Sequence, residues 1–264
     1  ALYIVNKGNH RIRRLTAQLV NTVTTPPPAE PPPTPPNNTT IEIRTLHSAT
    51  LASTRLAPGL LLTIEGRDIG PARPVAGTLS PNGALETTLA DTQVLFNGSP
   101  APIVYAQQHR LHVQAPYTLK PGTTATIEVK RAGELRARTT APVEATAPGI
   151  FTAALTLEDG SLHSQSNPAP TGTILTIHAA GTGAVTPSLP EGRLADSPVT
   201  PIAPIRITIG AQPAELLSAH TAVTSPGVLQ LKLRIPTQVT AGAHELLLQA
   251  GEANSQRGVT LYLR

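Results

Sequence analysis

His109 and His112 are the closest pair of histidines in the chain, and paired histidines are the first residues to test for a metal centre or a general base. They fall where a strand is predicted, and residues three apart on a strand point to opposite faces, so the two imidazoles cannot share one ion. Asp68, Asp91, Asp159 and Asp196 are widely spaced and form no EF-hand or Asp-rich calcium loop. Glu65 and Asp68 could be pictured as a glycosidase pair, but nothing in the sequence provides a deep cleft around them. Gly181-Thr182-Gly183 lacks the rest of a phosphate-cradling or dinucleotide fingerprint and reads as a bend at a sheet edge. There is no Gly-x-Ser-x-Gly elbow. The absence of cysteine excludes disulfides, thiolate metal sites and thiol nucleophiles together. The expectation is a chain without catalytic residues, metal or cofactor.

Two binding chemistries remain to be weighed. Sugar-binding sandwiches stack pyranose rings on exposed Trp or Tyr; here Trp is absent, and Tyr105, Tyr117 and Tyr262 lie in or beside predicted strands, where packing accounts for them. A surface glycan stays as an alternative partner, tested by retention on polysaccharide. Lys7, His10, Arg11, Arg13 and Arg14 form a basic cluster, but no aromatic platform interleaves with it and the net charge of +4 is mild. A solvated strand face is expected there, and no nucleic-acid partner. No window of 18 apolar residues exists, so no membrane span is predicted.

The elements that must hold these residues are written twice. Pro58-Gly59-Leu60-Leu61-Leu62-Thr63-Ile64-Glu65-Gly66 returns 113 positions later as Thr171-Gly172-Thr173-Ile174-Leu175-Thr176-Ile177-His178-Ala179. In both, alternate residues (Leu62 and Ile64, then Leu175 and Ile177) are apolar, the pattern of a strand with one face in a core and one in water. Val94 to Ala101 aligns with Ile207 to Ala214 at the same offset, and Leu111 to Pro116 with Leu231 to Pro236 at 120. Seven residues are therefore inserted near Thr221–Gly227. Strands are predicted at 41–44, 60–65, 92–96, 103–105, 110–114, 124–130 and 136–140, with a long loop at 72–90. In the second copy they are predicted at 174–178, 205–209, 214–218, 228–234, 244–249 and 258–263. A hairpin at 151–164 opens that copy, and a Pro-rich loop spans 184–204. Two modules, 41–147 and 148–264, each with about seven short strands, predict two tandem Ig-like β-sandwiches, all-β, with aliphatic cores.

Residues 1–24 read as a β-meander of three strands, Leu2–Val5, His10–Leu15 and Leu19–Val23. Too small to bury a core alone, it must pair its edges elsewhere. Pro26 to Pro36 predicts an extended polyproline II spacer of about 34 Å within a linker, 25–40. Thr34, Asn37, Asn38, Thr39 and Thr40, with Thr24 and Thr25, are glycosylation candidates. Beginning at Ala1 without Met, the chain reads as the mature part of a secreted precursor or as a fragment.

Leu2 to Leu15 resembles one NHL repeat, a single propeller blade with no second copy in the chain. Pro58-Gly59, Thr63-Ile64-Glu65-Gly66 and Ile69-Gly70-Pro71 resemble the opening of an IPT/TIG-type Ig-like domain. Several further blocks are similar to a family of C-terminal domains of unknown function on long secreted bacterial proteins. They include Gln114-Ala115-Pro116-Tyr117, Ala147-Pro148-Gly149-Ile150-Phe151-Thr152, Ser166-Asn167-Pro168-Ala169 and Gly210-Ala211-Gln212-Pro213-Ala214. The resemblance implies a secreted or cell-surface protein, places NHL propellers upstream and supplies no catalytic residues. The functional expectation is an extracellular structural or interaction protein. Its meander would add strands to another copy through Leu2, Tyr3, Ile4, Val5, Ile12 and Leu15, and repetition of that contact would build a fibre. The alternative is a region that tethers or sorts an upstream propeller.

Overall fold

The computed structural model describes residues 2–6, 11–15, 41–222 and 225–264. Strands β1 (Leu2–Asn6) and β2 (Arg11–Leu15) pair antiparallel, Leu2 opposite Leu15 and Asn6 opposite Arg11. Among the described residues this two-stranded sheet joins no other sheet. The expected third strand, the Pro-rich linker, the glycosylation candidates at 34–40 and the side chains of β1 and β2 lie outside the described residues.

The next ten strands are β3 (Ile43–His47), β4 (Leu61–Gly66), β5 (Val75–Ala76), β6 (Thr88–Leu89), β7 (Thr92–Phe96), β8 (Ser99–Pro100), β9 (Ile103–Gln107), β10 (Arg110–Gln114), β11 (Thr124–Arg131) and β12 (Glu134–Pro142). They make two antiparallel sheets, β3-β4-β10-β9-β5 and β12-β11-β7-β6, with β8 added to β7. That is the immunoglobulin arrangement, A-B-E-D on one sheet and G-F-C on the other. Leu62, Ile64, Leu111, Val113, Val94, Phe96, Ile127 and Val129 close the core between them.

The remaining strands repeat the plan. They are β13 (Gly149–Ile150), β14 (Thr156–Leu157), β15 (Ile174–Ala180), β16 (Val185–Thr186), β17 (Thr200–Pro201), β18 (Ile205–Ile209), β19 (Gln212–Pro213), β20 (Glu215–Thr221), β21 (Val228–Arg234), β22 (Gly242–Ala250), β23 (Ala253–Asn254) and β24 (Thr260–Leu263). The sheets run β13-β15-β21-β20, with β14 on β15, and β19-β18-β22-β23, with β24 on β22; β16 and β17 form a separate pair across the long loop. The register repeats as well as the order. Ile64 stands opposite Leu111 in β4 and β10, and Ile177 opposite Leu231 in β15 and β21, preserving offsets of 113 and 120. The extra residues lie between β20 and β21, as the two offsets require.

Two expectations change. Part of the hairpin strand expected from Phe151 is a single 3-10 turn, Thr152–Ala154, which drops Phe151 and Ala154 into the first sandwich's core. More telling, β4 does not show one face to water. Leu61 and Thr63, on the outer side, are 1% and 0% exposed, whereas the matching Ile174 and Thr176 of β15 are half-buried. The first copy is covered on both faces because the second sandwich lies against it.

Replacing Ile64 or Ile177 with Ala should each lower stability by about 2–5 kcal/mol, the range for truncating a fully buried branched aliphatic. Urea unfolding measures it. A loss well below 1 kcal/mol at either position would contradict its placement in a close-packed core.

Candidate functional site

The residues singled out for chemistry are held apart, and Glu65, Asp68, His109 and Asp159 are each occupied. Glu65 Oε1 accepts from Arg110 Nη2 at 2.6 Å across the β4–β10 pair, and Asp68 Oδ1 accepts from Gln108 Nε2 at 2.6 Å, so the imagined carboxylate pair is two separate surface contacts. His109 sits in the β9–β10 turn, where its Nδ1 accepts the Asp68 N–H at 3.3 Å; His112 is buried on β10. Asp159 takes the Ser161 hydroxyl and N–H at 2.6 and 2.9 Å, a local turn that holds its carboxyl below the usual range. No group of three His, Cys, Asp or Glu among the described residues could hold a metal. Tyr105 meets His112 edge-on at 5.6 Å, Tyr262 stacks on His163 at 6.0 Å, and Tyr117 is pressed into the interior.

One hydroxyl–imidazole pair has no counterpart in the sequence reading. Thr63 Oγ1 lies 3.1 Å from His112 Nδ1, with Ser48 Oγ a further 3.0 Å on. The cross-strand register of β4 and β10 places Thr63 opposite His112, so the duplicated pattern contains the signal. Thr63 is fully buried, so no substrate reaches its oxygen. The trio is a buried, hydrogen-bonded polar strip, not a nucleophile with its base.

The tightest contacts between the two sandwiches lie at their seam. Gly181-Thr182-Gly183 is the centre of this seam. Gly181, at φ +79°, faces the Ala147 carbonyl so closely that a Cβ would lie 1.9 Å from the oxygen; Gly183 approaches the Ala145 carbonyl in the same way. The Ala147 N–H donates to the Gly181 carbonyl at 2.7 Å. The inserted segment ends at Gly227, which lies against the Gly59 carbonyl and Leu61. The two long loops also meet: Leu85 N–H donates to the Gly192 carbonyl at 2.9 Å, and Leu194 enters the first core. Glu191 accepts the N–H groups of Tyr117 and Thr118 at 3.1 and 3.2 Å. Burial first, and the Glu191 charge second, push the Tyr117 phenol up to about 12.

A groove of about 680 Å³ opens beside the seam, with His47, Thr50, Ser53, Glu144 and Asn254 in its walls. His47 is its one imidazole, and both nitrogens are engaged. Nδ1 accepts the Ala49 N–H and Nε2–H donates to the Ala147 carbonyl, each at 3.0 Å, which fixes the neutral tautomer. Its ring lies on Gly149, where a Cβ would come within 2.4 Å. Burial lowers its pKa to about 4. The groove therefore offers hydroxyl, amide and carboxylate contacts, the last from Glu144 and Glu252, and its imidazole is already engaged.

No protein-family model and no curated protein sequence matches the chain. Among solved structures it is similar to the full extracellular region of plexin A4, at 13% identity over 86% of this chain and 19% of that chain (TM-score 0.28). It is also similar to SGBP-B of the Bacteroides ovatus mixed-linkage glucan utilization locus, in complex with a mixed-linkage heptasaccharide, at 15% identity over 74% and 40% (TM-score 0.26). A third is the I9–I11 tandem of titin, at 11% over 84% and 64% (TM-score 0.23). The chain spans less than half the length of the first two. At these TM-scores none of the likenesses bears on function.

Two outcomes are expected. Gly181→Ala should destabilise well beyond Gly160→Ala, although both glycines have φ near +80°, because only Gly181 faces backbone and Gly160 faces open space. Equal effects in thermal or urea unfolding would contradict a tight seam. Between pH 6.5 and about 4 the unfolded chain takes up a proton at His47 that the folded chain refuses, so stability falls as pH falls through that window. The loss amounts to about 3 kcal/mol. His178 and His163, also lowered by burial, act in the same direction. In His47→Gln the slope of stability against pH should lose about one proton's worth over that window, and an unchanged slope would refute the assignment.

Proposed function

We propose that this chain is a non-catalytic extracellular interaction module in which two sandwiches, locked at their seam, carry an N-terminal β-hairpin for strand addition to another copy. The observation that carries this reading is the β1–β2 sheet, which pairs with no other strand among the described residues. The outer edges of a two-stranded sheet hold backbone donors and acceptors that a third strand satisfies. The spent hydrogen-bonding groups of His47, Glu65 and Asp68 support the non-catalytic part. A contact made by one end of the chain on a different surface of the next is heterologous, and such contacts grow into fibres when they do not close.

The resemblance of Leu2 to Leu15 to a propeller blade supports a second reading, in which the sandwiches tether or sort an upstream propeller. Sugar binding through Tyr105, Tyr117 or Tyr262 is the weaker account, since each ring is at least half-buried. Under the assembly reading, the full chain forms oligomers or filaments in light scattering and electron microscopy, and deletion of residues 1–24 leaves monomers. Unchanged assembly after the deletion would remove strand addition.

A further inference from the structure

Two buried side-chain oxygens at the seam lack a hydrogen-bond partner, and their residues line the same small cavity. They are Gln114 Oε1 of the first sandwich and Thr221 Oγ1 of the second. Both line a small cavity of about 10 Å³, walled also by Tyr117, Arg193, Leu194, Ser225 and Gly227. The Gln114 side chain also interacts with the Tyr117 phenol, and its Oε1 is the atom left without a partner. A carbonyl oxygen in an apolar seam without a donor is costly to bury. The cavity is of the size that admits one water and nothing larger.

We propose that this cavity is a binding site for a single ordered water that donates to Gln114 Oε1 and hydrogen-bonds Thr221 Oγ1, bridging the two sandwiches. An ion fits the site less well. The one charged residue in its lining, Arg193, is already paired with Asp196 at 3.2 Å, and no carboxylate lines the walls. Each module supplies one of the two polar anchors, so the site is complete only when the sandwiches are docked. Around the two oxygens the walls mix aliphatic groups, among them Leu194, with the Tyr117 ring and the Ser225 hydroxyl, and Leu194 and Val228 enter the first core, so the water completes the polar matching of a mostly packed seam. Its exchange with bulk then requires the seam to open, and its residence time reports that opening.

A crystal structure of the full chain, at a resolution that shows ordered water, tests this directly. The expected result is one isolated density within hydrogen-bonding distance of both oxygens. Its absence, or rotation of both side chains onto protein partners, would overturn the proposal. In solution, magnetisation transfer from water to the Gln114 amide or the Thr221 methyl should reveal a long-lived contact. Thr221→Val keeps the volume and removes the hydroxyl, so that signal should vanish, while Thr221→Ser should keep it. A signal unchanged in Thr221→Val would overturn the bridge, and the signal in the unsubstituted chain decides the matter should that variant fail to fold.

Discussion

Backbone meets backbone at the seam, and the rest of the arrangement follows from that closeness. Gly181 stands against the Ala147 carbonyl, Gly183 against Ala145 and Gly227 against Gly59, at separations where a Cβ could not fit. A joint made by long side chains would leave slack, because such chains have rotamers to spend. One made by peptide groups has only φ and ψ to adjust, and both are fixed by the sheets on either side. The aliphatic contacts then reach across: Ala180 and Val228 of the second copy belong to the core of the first. The two modules keep separate cores, and the residues of the second that enter the first, together with the peptide-to-peptide joint, tie them directly.

The duplication is equal in pattern and unequal in fate. Leu61, Thr63, His112 and Gln114 on the outer face of the first sandwich are buried, and their counterparts are Ile174, Thr176, Lys232 and Arg234. Lys232 and Arg234 are exposed, and a charged face of this kind resists docking of a further domain, as the polar caps of repeat arrays do. The difference in loops works the same way. The short Gln107–Arg110 turn of the first copy becomes the inserted segment in the second, and the lengthened hairpin is what reaches back to Gly59. One copy receives and the other is received.

Charged and titratable groups serve this architecture. Arg110 and Glu65 pair across β4 and β10, and Arg138 and Glu128 do the same across β11 and β12. Such exposed pairs add little stability and keep the outer faces soluble and in register. His47 is buried instead, and its ring joins β3 to the connecting segment at Ala147. It is spent on position, which is why its acidity matters to stability.

The strand pattern was legible because it is local. Alternation along Leu62–Ile64 and Leu175–Ile177, the Asn97-Gly98 turn and the two offsets depend on residues close in sequence, and strand pairing follows from them with little freedom. The short strands β5, β6, β16 and β17 escaped, since two-residue pairings inside Pro-rich loops have no period to read. The seam escaped for a different reason. His47 and Ala147 are 100 residues apart, Thr146 and Ala250 are 104 apart, and neither pair carries a motif. Gly181-Thr182-Gly183 read as an ordinary bend, because the need for glycine lies in the carbonyls opposite and not in the turn itself. By itself, then, the sequence determined the class of fold, its duplication and the place of the insertion, all consequences of short-range periodicity. Only the tertiary structure decided which face of which copy is hidden, since that depends on two surfaces meeting that nothing along the chain holds together.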